Sequence, residues 1–144
     1  MRSKLSVLWI FATVNYLYCD VLALMNPDLL KGYLAGNVNG IAITPGFLLA
    51  AGVLVEIPMA MIVIARFAPP RANRWANIVA GGVMTAVQLT SLVVGKPALY
   101  YVFFSVIEVA TTAAIVWLAW RWDLGPVEAA DDLHDRKPQA AGAE

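Results

Sequence analysis

The segment Thr44–Phe67 reads TPGFLLAAGVLVEIPMAMIVIARF, and between Pro45 and Ala65 its one ionisable side chain is Glu56. A bilayer core of about 30 Å takes roughly 20 apolar residues in helix, and this segment supplies them. Lipid offers backbone groups no partners and the segment lacks strand-like alternation, so it reads as a membrane-spanning helix. Pro45 stands at its start, where a missing N–H costs nothing. Pro58 stands inside it, where the Leu54 carbonyl loses its donor and the helix loosens beside Glu56.

Working outward, three further stretches qualify as spans: Leu5–Met25, Trp75–Val94 and about Ala98–Trp120. Turn chemistry separates them: Asn26-Pro27-Asp28, Ala68-Pro69-Pro70-Arg71 and Gly95-Lys96-Pro97. The expected fold is therefore all-α, a four-transmembrane-helix bundle over residues 1–122. In the longest loop, Asn26–Ile43, Asp28–Leu34 is expected to form a short interfacial helix. Gly36, Asn37, Asn39 and Gly40 should give a flexible return. Residues 123–144 read as a polar, disordered tail with Glu128, Asp131, Asp132 and Asp135.

Composition agrees. Of 144 residues, 60% are hydrophobic and 14% charged, against about 25% charged in soluble domains. A water-soluble chain this short could not hide so much apolar surface. Ten Lys and Arg balance ten Asp and Glu, leaving no basic field for nucleic acid. A single cysteine excludes an internal disulfide framework, and a single histidine, His134 in the tail, leaves zinc or haem without ligands. No metal or cofactor is expected.

Met1-Arg2-Ser3-Lys4 followed by an apolar run imitates a secretory signal. The run is as long as a full span, holds no small-x-small cleavage signal, and sets Leu17-Tyr18 rather than a small residue before Cys19. A retained helix is expected. Arg2, Lys4, Arg66, Arg71, Arg74 and Arg121 fall on one side, Lys31 and Lys96 on the other. The positive-inside rule then puts both termini in the cytoplasm of a multi-pass inner-membrane protein. Trp75, Trp117, Trp120 and Trp122 would form the cytoplasmic aromatic belt, and Tyr100 and Tyr101 would mark the opposite interface.

The acids inside the spans carry the functional signal. Asp20, Glu56 and Glu108 have no Lys, Arg or His at similar depth. An acid at mid-bilayer costs about 2.5–3.5 kcal/mol on insertion scales, so each must be protonated, hydrated, hydrogen-bonded or paired with a bound cation. Counted from the external helix ends, Asp20 lies about 8 Å deep, Gln88 about 9 Å, Glu108 about 15 Å and Glu56 about 18 Å. Helical spacing aligns Trp9, Thr13, Tyr16 and Asp20 in the first span, and Gly52, Glu56 and Ala60 in the second. It aligns Asn77, Gly81, Thr85 and Gln88 in the third, and Tyr101, Ser105, Glu108 and Thr112 in the fourth. Four polar stripes at overlapping depth are expected to converge on one interior site of Glu56, Glu108, Asp20, Gln88, Tyr16 and Asn15. Asn15, Gln88 and the threonines also suit plain helix–helix hydrogen bonding. Leu54-Val55-Glu56-Ile57 and Val106-Ile107-Glu108-Val109 suggest a parallel internal repeat of two hairpins.

Leu8–Thr13, Asn15–Asp20, Glu56–Met61, Arg71–Ile78 and Gln88 together resemble a family of uncharacterised small bacterial membrane proteins, over about Met1 to Trp122. The resemblance implies a four-helix membrane bundle, broadly DoxX-like in topology. It implies no catalytic residue and no substrate. The leading expectation is binding or permeation of a proton, a cation or a small amphipathic molecule at the intramembrane carboxylates. The alternatives are a redox, quinone- or lipid-associated membrane subunit, and a structural or assembly subunit. No nucleophile–base pair appears, and an enzyme is the weaker reading. Ala50-Ala51-Gly52 and Ala80-Gly81-Gly82 permit close helix approach. A homo-oligomer of unspecified order is a candidate assembly within the lipid bilayer.

Overall fold

The computed structural model describes residues 1–38, 40–93 and 97–123. Four long helices form on the apolar stretches: α1 (Arg2–Met25), α3 (Pro45–Phe67), α4 (Pro70–Val93) and α5 (Leu99–Trp120). Each is long and apolar enough to cross a membrane. Their ends follow local chemistry. The Thr44 hydroxyl accepts from the Phe47 N–H at 3.1 Å and caps α3 ahead of Pro45. α4 begins five residues before the expected Trp75, because Pro70 suits the first helical position and the Pro69 carbonyl accepts from the Asn73 N–H at 2.8 Å.

The interfacial helix is present as α2 (Pro27–Leu34), capped by the Asn26 side chain, which accepts from the Asp28 N–H at 3.1 Å. The return after it is more regular than expected. β1 (Asn37–Val38) and β2 (Ile41–Ala42) pair antiparallel, with Val38 opposite Ile41. Gly36 and Gly40 supply the positive φ angles, 70° and 84°, that the two bends require. The Gly95-Lys96 break and the tail from residue 124 lie outside the described residues.

The long helices form a ring in which α1 packs against α3 and α5, and α4 closes it against α5 and α3. The outside of the ring is apolar: Phe67, Leu49, Leu17, Val63 and Phe103 are all exposed. Contiguous apolar surface on this scale suits lipid rather than water. Near the termini the interior is filled by Leu5, Trp9, Ala12, Met61, Ala65 and Ile115. Trp122 joins that core at 4% exposure, packed inward rather than in the interfacial belt expected of it. Trp75, Trp117 and Trp120 are exposed, and the Arg121 guanidinium lies 4.8 Å from the Trp117 ring centre.

A chain of buried hydrogen bonds crosses this core. The Trp9 indole N–H donates to Asn77 Oδ1 at 2.7 Å, across the ring from α1 to α4. The Asn77 amide donates to the Asn73 side-chain oxygen at 2.7 Å and to its carbonyl at 2.8 Å. The Asn73 amide in turn donates to the Ala65 carbonyl of α3 at 2.8 Å. All four residues are fully buried. Between α4 and α5 the contact is close because Gly81 has no side chain. A Cβ there would come within 2.7 Å of Val116 Cγ2 and 3.3 Å of the Thr112 carbonyl.

Two stability effects follow. Asn77→Ala strands the Trp9 N–H in a dry core and should cost about 1–3 kcal/mol. Gly81→Ala should cost about 1–3 kcal/mol by overpacking, whereas Gly82→Ala, where a Cβ meets nothing within 4 Å, should be close to neutral. Thermal unfolding in detergent, followed by circular dichroism, checks the order.

Candidate functional site

Away from the termini the interior changes character. On α5 the spacing of Tyr101, Ser105, Glu108 and Thr112 sets one polar stripe toward the ring centre; Ser105, Glu108 and Thr112 are at most 1% exposed. Its neighbour α4 meets it with matching groups. The Gln88 amide donates to the Ser105 hydroxyl at 2.7 Å, and Thr85 and Thr112 hydroxyls meet at 2.7 Å. Ser105 passes its own proton to the Tyr101 carbonyl at 2.7 Å. Gln88 thus joins two helices.

Glu108 differs. It is 1% exposed, and its Oε1 has no hydrogen-bond partner among the described residues. The hydroxyl of Tyr16, on α1, is likewise buried and without a partner. Tyr16, Cys19 and Tyr101 lie within electrostatic reach of Glu108, and Glu108 within that of Asp20. Two unsatisfied polar atoms facing a common interior are unusual, because buried polar groups are nearly always paired.

A cavity of about 720 Å³ opens between the helices at the hairpin end, with neither Glu108 nor Tyr16 on its wall. Tyr101 lies on its wall, one α5 stripe position set from Glu108 by seven residues, or about 10 Å of helix. Asp20 and Cys19 line it from α1, Phe47 and Leu54 from α3, and Ser91 from α4. α2 closes one side with Tyr33 and Asp28. Burial, and then the charge of Asp20, push the Tyr33 phenol above its usual range, so it stays a proton donor. The described lining carries two acids, Asp20 and Asp28, and no base. Such a wall favours a cation or a polar group able to donate hydrogen bonds.

Of the six expected site residues, Asp20 lines the cavity and the other five are absent from its described wall. Tyr101 faces the cavity with Asp20, whereas Glu108, Tyr16 and Gln88 lie in the bundle interior and not on its wall. Asn15 is buried on α1, but its amide donates to the Phe11 carbonyl of its own helix at 3.1 Å, and it is absent from the cavity wall. Glu56 corrects the expected convergence. It is exposed, as is Gly52 one turn before it, and at 100° per residue it lies about 180° around α3 from the buried Ala65. The larger apolar set of Leu54, Ile57, Pro58, Met61 and Ala65 takes the inner face, so Gly52 and Glu56 turn out, with Ala60 half-buried. The two glutamates of the suggested repeat therefore occupy opposite environments.

Sequence reasoning did not foresee the Trp9–Asn77–Asn73 chain, although two asparagines four residues apart on one helix face were its visible sign. It also missed Tyr33 and Phe47 as cavity walls, since both depend on how α2 and α3 close over the bundle end.

Four apolar helices of membrane length, ringed around a buried carboxyl group, define a small helical bundle of membrane type. The chain belongs to the family of unknown function DUF6326, whose model matches residues 1–128. No curated protein and no solved structure matches it.

A carboxyl held without a partner costs stability that a purely structural residue would not. Glu108→Leu should therefore raise the detergent unfolding midpoint, by the equivalent of about 1–3 kcal/mol. Ser105→Ala, which deprives Gln88 of its acceptor, should lower it.

Proposed function

We propose that the protein is a multi-pass protein of the cell membrane, with both termini cytoplasmic, that takes a cation into the cavity and passes it to Glu108. The cation is a proton, a metal cation or the charged end of a small amphipathic molecule. The observation that carries this reading is the buried Glu108 carboxyl, unpartnered at Oε1 and two turns along α5 from Tyr101 on the wall of an acid-lined cavity. Intramembrane carboxylates of this kind mark ion and proton paths. Asp20 would attract the cation at the mouth, and Tyr33 and Tyr101 would orient it. The Tyr16 hydroxyl beside Glu108 would supply a second oxygen once the cation arrives. The cavity volume falls within the range of roughly 300–1,000 Å³ found for small-molecule sites. The bound cation would repay the cost of the buried acid, since each satisfies the other.

A second reading rests on the aromatic wall of Phe47, Tyr33, Tyr100 and Tyr101. Those rings also suit a quinone or a lipid, as a DoxX-like redox or lipid-associated subunit would need. A quinone or a single lipid species copurifying at one per chain would favour it.

The test is reconstitution in liposomes, with proton, sodium, potassium and tetraphenylphosphonium fluxes measured separately. Wild type should conduct or bind at least one of them. Glu108→Gln should reduce that signal at least tenfold with the fold intact, and Asp20→Asn should weaken it less. Wild-type liposomes indistinguishable from empty ones for all four would overturn the reading.

A further inference from the structure

Glu56 stands at the midpoint of α3, eleven residues from either end, which is about 16 Å along the helix. Its side chain is exposed on the outer face of the ring. If α3 spans a bilayer, as proposed above, the carboxyl faces hydrocarbon at its deepest point, too far from either surface to reach water. Lipid tails offer it neither donor nor acceptor. The chain's own bases offer none either, because no Lys, Arg or His lies near the middle of any long helix.

A second feature of the same face is also unexplained by the single chain. Gly52 is one turn from Glu56 on the same stripe, and a Cβ built there would meet nothing within 4 Å. Nothing within the bundle requires glycine at that point. Ala60, one turn to the other side, completes a small–Glu–small stripe with four-residue spacing. Small residues so spaced let a neighbouring membrane helix approach closely enough for side chains between them to hydrogen-bond.

We propose that the outer face of α3 docks a second copy of this chain across a two-fold axis along the membrane normal, with the two Glu56 carboxyls hydrogen-bonded to each other. A carboxyl group in its neutral form is both donor and acceptor, so the partner that fits it best is another carboxyl at the same depth. A two-fold axis supplies that partner automatically, because each residue on the axis meets its own copy. The uneven spread of Arg and Lys between the two ends gives all copies one orientation, which directs the axis along the normal. Gly52 and Ala60 bring the α3 backbones close on both sides of the pair.

The full-length chain in nanodiscs, weighed by native mass spectrometry, tests this. Wild type and Glu56→Gln should be dimers, because an amide also pairs with itself. Glu56→Leu and Gly52→Leu should lose at least tenfold in dimer fraction while staying helical. In a Cys19→Ala background, Val63→Cys, two turns along the same stripe, should form a disulfide between copies under mild oxidation. Phe103→Cys, on the outer face of α5, should not. A monomeric wild type, an undiminished Glu56→Leu dimer, or equal crosslinking from both faces would overturn the proposal. Extraction by alkaline carbonate separates this from the membrane reading: a released chain sinks both, whereas a retained monomer sinks the dimer alone. Glu108→Gln should dimerise as wild type does, keeping the cation site a separate question.

Discussion

The bond from the Trp9 indole to Asn77 holds the bundle in register. It spans the ring diagonally, between helices that otherwise meet mainly through their neighbours, and Asn73 extends it to the backbone of α3. An apolar core allows helices to slide and rotate with modest change in energy. A buried donor with a single acceptor does not, because any other rotation leaves it unpaired. Fixing α1 against α4 in this way decides which face of each helix turns inward. It is the reason the Tyr16 and Glu108 stripes share an interior at all.

The two halves of the bundle are packed differently. Toward the termini Trp9, Asn73 and Asn77 are matched and Leu5, Ala65 and Ile115 are fully buried, while Arg2 Nε and Arg74 Nε are buried without a partner among the described residues. Toward the hairpin the helices stand apart around a cavity, and two polar atoms are left without partners. Departures from good packing and polar satisfaction cluster where proteins do chemistry or bind.

Much of this was readable from the chain. Lipid forces helices on apolar stretches of this length, so the spans followed from hydropathy and from Pro, Gly and Asn at the breaks. The start of α4 was misplaced because Pro69-Pro70 both ends one helix and opens the next. Periodicity correctly grouped each polar stripe, but a stripe has no sign: spacing shows which residues share a face and not where that face looks. For α1, α4 and α5 the polar stripe turned in, because Trp9, Asn77, Gln88 and Ser105 had partners to find. For α3 the competing apolar stripe, ending in the small Ala65 beneath Asn73, filled the inner position instead. The cavity was not legible, since it depends on distances between helix ends and on the closure made by α2.

Pro58 gives α3 a mechanical role. Its ring removes the hydrogen bond that the Leu54 carbonyl would accept, and helices bend most readily where that ladder is broken. The segment before the break carries Phe47, Ala50, Ala51 and Leu54 on the cavity wall and Gly52 on the outer stripe. The cavity wall and the outer Gly52 thus belong to one rigid stretch of helix on the same side of the broken ladder. The same few turns of α3 therefore shape the chamber on one side and the outer surface on the other.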